Sequence, residues 1–202
     1  MKKIASIICL TMIAGSAFII SCNNQQENKA VTASGISMDS MVNRGEYLVT
    51  IMGCDDCHTP KIFGPKGPEL DMANRLSGHP AEMPIAQVNN EELKNWVLFN
   101  QITTAYVGPW GTSFAANLTR HETGIGNWTE QQFFKAMRQG KYKGMDNSRP
   151  LLPPMPWQNF GRASDEDLRA IFAYLKSTKP VDNLVPANIP PVQLAELSVE
   201  PK

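Results

Sequence analysis

Cys54-Asp55-Asp56-Cys57-His58, a quarter of the way along a 202-residue chain, sets two thiols three positions apart with a histidine directly behind the second. Thiols at this spacing lie on one side of a helical turn. They can add across the two vinyl groups of one porphyrin, giving two thioethers. His58 is then carried under the ring, where its imidazole can bind iron from the proximal side. The pattern is that of covalent c-type haem attachment. Three other readings compete. A Cys54–Cys57 disulfide suits an oxidising compartment, but a redox C-x-x-C needs a βαβ context that the flanking sequence lacks. A structural zinc site needs four Cys or His ligands, and His79 and His121 are isolated. Chance is the third. One covalent haem c per chain is the expectation.

Upstream of the motif, a helix is predicted from Asp39 or Ser40 through Met41–Gly53, with Gly45, Leu48, Val49 and Met52 at the 3.6-residue period. Downstream, Thr129 and Gln132 form a capping box that opens a helix bearing Phe133, Phe134 and Met137, stopped by Gly140. Ser164 caps a last helix whose first turn is acidic (Asp165, Glu166, Asp167). Leu168, Ile171, Phe172 and Leu175 line one face of it, and Pro180 closes it. Asn89 or Asn90 is a candidate cap for a further helix, Glu91–Phe99. Leu98–Tyr106 has the β-branched and aromatic content of a short hairpin. The remaining segments are long and rich in Gly and Pro. A haem would let such loops pack on a cofactor rather than on each other.

At the N-terminus, Lys2 and Lys3 precede a mostly apolar run, Ile4–Ile20, which reads as an export signal. Ile19-Ile20-Ser21-Cys22 resembles a bacterial lipobox, with Cys22 as the residue to be acylated; an uncleaved anchor helix is the alternative. Of the four cysteines, Cys9 falls in the leader and Cys22 under lipid, which leaves Cys54 and Cys57. The full chain balances 19 basic against 19 acidic residues; without Lys2 and Lys3 the net is −2, which gives no case for nucleic-acid binding.

Taken with the order of the helices, the motif resembles the class I cytochrome c family, in which an N-terminal helix before C-x-x-C-H crosses a C-terminal helix. Gly45 and Tyr47 match the first helix of that pattern, and Tyr174 and Leu175 the last. A second resemblance covers Asn117-Leu118-Thr119, Glu122 to Thr129, Pro153-Pro154-Met155-Pro156-Trp157 and Ser164 to Leu168. This series is similar to haem domains in the cytochrome subunits of membrane-bound alcohol and sugar-acid dehydrogenases. Those subunits have three haem domains, whereas this chain has one C-x-x-C-H.

The resemblance implies a mostly α, cytochrome c-like helical domain wrapped around one covalent haem, with long loops. With the leader and composition read above, the chain is expected to divide into a lipoprotein signal peptide (1–21), a flexible polar tether (22–39), a cytochrome c domain (40–181) and a Pro-rich tail (182–202), the tail extended over the surface or disordered. The resemblance also places Met155 as the second axial ligand, where Pro153, Pro154 and Pro156 would fix the backbone on both sides. Met83, Met137, Met145, His79 (in an apparently solvated loop) and His121 are rivals. Trp128 or Trp157 is expected to pack on the porphyrin. With His58 and Met155 both bound, no position stays open for substrate, which implies an electron carrier rather than an enzyme. Its partners would be a dehydrogenase, an oxidase or another cytochrome. It would face the periplasm from a lipid anchor in the inner or outer membrane. A peroxidase-like enzyme and a haem-based sensor, each with an open sixth position, are the alternatives.

Overall fold

The computed structural model describes residues 37–85 and 87–191. The predicted signal peptide, Cys22, the predicted tether before residue 37 and the tail beyond residue 191 lie outside the described residues.

Helix α1 (Met38–Ile51) starts where Ser37 accepts a hydrogen bond from the Ser40 backbone, with Asp39 in the first turn. It buries Gly45, Leu48 and Val49. Gly53 then takes a left-handed conformation (φ 68°), so that the chain reverses at once into α2 (Cys54–His58), the C-x-x-C-H segment itself. Beyond the short helix α5 (Trp157–Phe160), helix α6 (Asp165–Ser177) is capped by Ser164 and crosses α1 at Gly45. A Cβ there would lie 1.9 Å from the Ala170 carbonyl oxygen, so only glycine permits the backbones to approach this closely. Leu48, Val49, Leu168, Ile171, Tyr174 and Leu175 fill the crossing, joined by Ile125, Phe133 and Met137. Each fully buried aliphatic side chain there contributes roughly 1.5–3 kcal/mol. Helix α4 (Glu130–Gln139) bears the complete Thr129–Gln132 capping box and stops at Gly140, as its sequence predicts.

The expectation of a mostly helical domain is corrected by what lies between α2 and α4. Strands β1 (Lys61–Gly64) and β2 (Gly67–Leu70) form a hairpin, with Phe63 opposite Pro68. A three-stranded antiparallel sheet follows, β3 (Leu98–Phe99), β4 (Ala105–Gly108) and β5 (Gly111–Phe114) in spatial order 3-4-5. The physical cause is local. Gly67 and Gly111 adopt positive φ at the turns, and alternation along β4 sends Tyr106 and Val107 to opposite faces. The predicted Leu98–Tyr106 hairpin is the first half of this sheet. The predicted Glu91–Phe99 helix shrinks to α3 (Asn90–Leu93), capped by Asn89, because Leu98 and Phe99 are taken up by strand pairing. Residues 182–190 of the tail form no regular element, and Ile189 pairs with Thr112 (2.8 and 3.0 Å) in a small second core with Val107, Val88, Leu93 and Phe114.

Candidate haem site

Helix α2 carries Cys54, Cys57 and His58 on one turn, and the surrounding contacts fix that turn from three sides. The His58 Nδ1 atom lies 2.7 Å from the Ala116 carbonyl oxygen, so this nitrogen carries the proton and donates. The other ring nitrogen, Nε2, is left with its lone pair for a metal, the arrangement that orients and strengthens histidine ligands. Burial lowers the His58 pKa, against the Ala116 hydrogen bond and Asp55, which raise it; the net effect favours the neutral ring, the form able to bind a metal. Ala116 is itself held in place by a close backbone crossing. Gly78 N donates to His58 O (2.8 Å) and His79 N to Ala115 O (2.9 Å). Gly78 has φ 79°, and a Cβ there would sit 2.4 Å from Ala115 O.

Asp55, inside the motif, is buried and anchors it to the rest of the domain. Arg75 grips its carboxylate with two guanidinium nitrogens (3.0 and 2.8 Å), and the Thr59 hydroxyl donates to it at 2.6 Å. The same guanidinium donates to Tyr174 OH on α6 (2.7 Å) and to Glu46 on α1 (3.3 Å). One arginine therefore ties α1, α2 and α6 together. Burial alone would raise the Asp55 pKa, but the bonds from Arg75 and Thr59 outweigh it and hold the carboxyl below its ordinary value. Sequence reasoning missed this clamp, since its parts are scattered over positions 46, 55, 75 and 174.

Cys54 and Cys57 are free thiols, each part-buried. Burial, then the Asp55 carboxylate, pushes the Cys54 thiol up to about 12. A redox C-x-x-C works through a lowered thiol pKa, so the environment is opposite to what disulfide exchange requires. Zinc fares no better, because no group of three or more His, Cys, Asp or Glu side chains able to hold a metal ion occurs among the described residues.

One face of the β3–β4–β5 sheet brings the distant parts of the site together. Tyr106 and Ser113 are cross-strand partners and therefore point to the same side. The Tyr106 hydroxyl stands 2.9 Å from Cys57 Sγ, while Ser113 Oγ donates to Pro153 O at 2.6 Å. The sheet thus touches the haem motif and the Pro153-Pro154-Met155-Pro156 loop at once. Met155 is part-buried and packs on the main core alongside Cys54, Met52, Leu118, Trp128 and Phe160. These part-exposed apolar side chains, a neutral histidine with a free ring nitrogen and two unpaired thiols form a donor set that fits a haem.

The rival ligands have other surroundings. Met137 is buried in the core, and Met145 is exposed. Met83 Sδ receives a hydrogen bond from Asn100. His79 is not in a solvated loop. It is 1 % exposed, bonds Thr104 Oγ1 through Nδ1 (2.9 Å) and packs on Phe114, on the sheet face turned away from Tyr106. His121 bonds Thr123 on its own loop. Trp128 packs on the main core, whereas Trp157 lies over Gly140, where a Cβ would meet its indole ring at 2.4 Å.

The sequence is similar to those of named relatives. The chain is 30% identical over 71% of its length to the cytochrome c subunit of a quinone-type alcohol dehydrogenase of Gluconobacter oxydans (strain 621H). It is 30% identical over 72% of its length to the gluconate 2-dehydrogenase cytochrome c subunit of Pantoea cypripedii. The cytochrome subunit of fructose dehydrogenase from Gluconobacter japonicus is 39% identical over 70% of the chain. The chain resembles the cytochrome c subunits of dehydrogenases. The matched segment spans 23%, 25% and 22% of those three proteins, respectively. No protein-family model matches the chain. The resemblance is to subunits that transfer electrons rather than to subunits that transform substrate.

Proposed function

We propose that this chain is a monohaem c-type cytochrome that carries single electrons between a dehydrogenase and an oxidase or another cytochrome. In this reading Cys54 and Cys57 would hold one haem through thioethers, and His58 and Met155 would bind its iron. The observation that carries it is the shared sheet face, with Tyr106 on Cys57 and Ser113 on Pro153. That face supports a site shared by the Cys57–His58 turn and the Met155 loop. When bound, the haem supplies an iron that cycles between ferric and ferrous states. The chain's own residues do the rest. Ala116 O keeps the His58 proton on Nδ1, and three prolines limit the motion of Met155. Tyr106, Leu118 and Trp128 exclude water. With both residues holding the iron, electron transfer would be favoured over substrate binding. The names of the relatives support a dehydrogenase as the electron donor.

Anchoring through an acylated Cys22, with the domain facing the periplasm behind residues 22–39, belongs to the same proposal. No helix among the described residues is long and apolar enough to cross a membrane. Carbon monoxide tests the closed site. Reduced wild type should barely react, and the oxidised protein should show the weak sulfur-to-iron band at the red end of the spectrum. Met155→Ala should lose that band and bind carbon monoxide rapidly, whereas Met83→Ala, Met137→Ala and Met145→Ala keep it. Avid binding by wild type, with no such band, would replace the carrier with a peroxidase-like enzyme or a sensor.

A further inference from the structure

Lys61 follows the haem motif by three positions and folds back over it. Its ammonium reaches three backbone carbonyls of one turn, those of Asp55 (3.2 Å), Asp56 and Thr59 (2.7 Å). These are acceptors only, so three of them around one nitrogen call for three N–H donors, which only the charged form has. The side chain is part-buried, and no carboxylate forms a salt bridge with it among the described residues. The charge is therefore spent on the peptide dipoles at the C-terminal end of α2, the negative end of the turn that presents Cys57 and His58. Nothing in the site as described above needs a cation there, since Asp55 is already matched by Arg75.

We propose that Lys61 tunes the redox balance of the haem, its ammonium favouring the ferrous state from beneath the Cys54–Thr59 turn. This rests on the haem reading above. Reduction removes one positive charge from the iron, so a cation fixed nearby opposes the ferric form more than the ferrous form. A part-buried charge is screened weakly by salt, and its effect should persist at high ionic strength. Lys66 makes the comparison fair. It lies on the same hairpin with the same charge, but is exposed at the turn.

Midpoint potentials of purified holoprotein decide the matter, measured by optical redox titration for wild type, Lys61→Gln, Lys61→Arg and Lys66→Gln. The red-end sulfur-to-iron band, recorded in parallel, reports that the axial ligands are intact. At a fixed poise Lys61→Gln should lower the ferrous-to-ferric ratio by about threefold or more, a fall of about 30 mV. Lys61→Arg should hold the wild-type value, and Lys66→Gln should leave it unchanged. Three results overturn the inference: an unmoved potential in Lys61→Gln, an equal shift in Lys66→Gln, or a shift that appears only with loss of the ligand band. Wild type without covalent haem would instead remove the reading beneath it.

Discussion

Replacing Gly45 with alanine sets helix propensity against packing. In an exposed helix the exchange would gain about 1 kcal/mol, because alanine loses less conformational freedom on folding. At Gly45 the new Cβ would lie 1.9 Å from Ala170 O, 2.6 Å from Ala170 C and 2.7 Å from Tyr174 Cβ. Two of these are backbone atoms of α6, so no rotamer change relieves the contact. The helices must separate by on the order of 1 Å, which loosens Leu48 and Val49 against Leu168 and Ile171. Overpacking of this kind costs about 1–3 kcal/mol where side chains can yield, and a rigid backbone puts it at or above the upper end. The net effect should be a loss of about 2 kcal/mol, or about 4–8 °C in Tm for a domain of this size. Thermal melts of Gly45→Ala beside Asn43→Ala provide the assay. Asn43 is exposed on the same helix, and its alanine variant should melt within a degree or two of wild type or slightly above it. A Gly45→Ala protein at least as stable as wild type would refute the close α1–α6 crossing.

The Asp55 clamp predicts a pH signature. Since the folded carboxyl titrates below its unfolded value of about 3.9, its stabilisation is complete above that pH and is lost as pH falls through the folded value. Asp55→Asn should therefore cost about 3 kcal/mol at pH 7, with the gap to wild type narrowing in urea melts near pH 3; an equal gap at both pH values defeats the assignment. Arg75→Met should lower stability by a similar amount, and the double variant should lose less than the two single losses combined; strict additivity would mean that the residues act apart. Cys22→Ser should abolish labelling with radioactive palmitate and yield either an uncleaved precursor or a freely soluble cytochrome, whereas unchanged labelling rules out the anchor.

Much of this architecture was legible because its signals are local. The Ser164 cap with its acidic first turn, the Thr129–Gln132 box and the Gly140 stop each lie within a few residues of the helix they delimit. The haem motif is equally local. The β1–β2 hairpin was not legible, because Ile62, Phe63 and Glu69 are all exposed, which leaves no apolar–polar alternation, and Pro68 sits in a strand. Its one signal was the Gly64-Pro65-Lys66-Gly67 turn. The burial of His79 depends on Phe114 and Thr104, and the Arg75 clamp on Glu46 and Tyr174; pairings across such distances leave no periodic trace. The resemblance to the class I cytochrome c family led toward a mostly α domain, and the segment between α2 and α4 instead built the sheet that joins Cys57 to the Met155 loop.

The most direct test of the account is the intact mass of the chain after expression with export and haem maturation, read under denaturing conditions. One covalent haem c predicts the mass of the processed polypeptide plus one haem, with the added mass absent from Cys54→Ala/Cys57→Ala. The bare polypeptide mass, or that mass less two hydrogens from a Cys54–Cys57 disulfide, would contradict it.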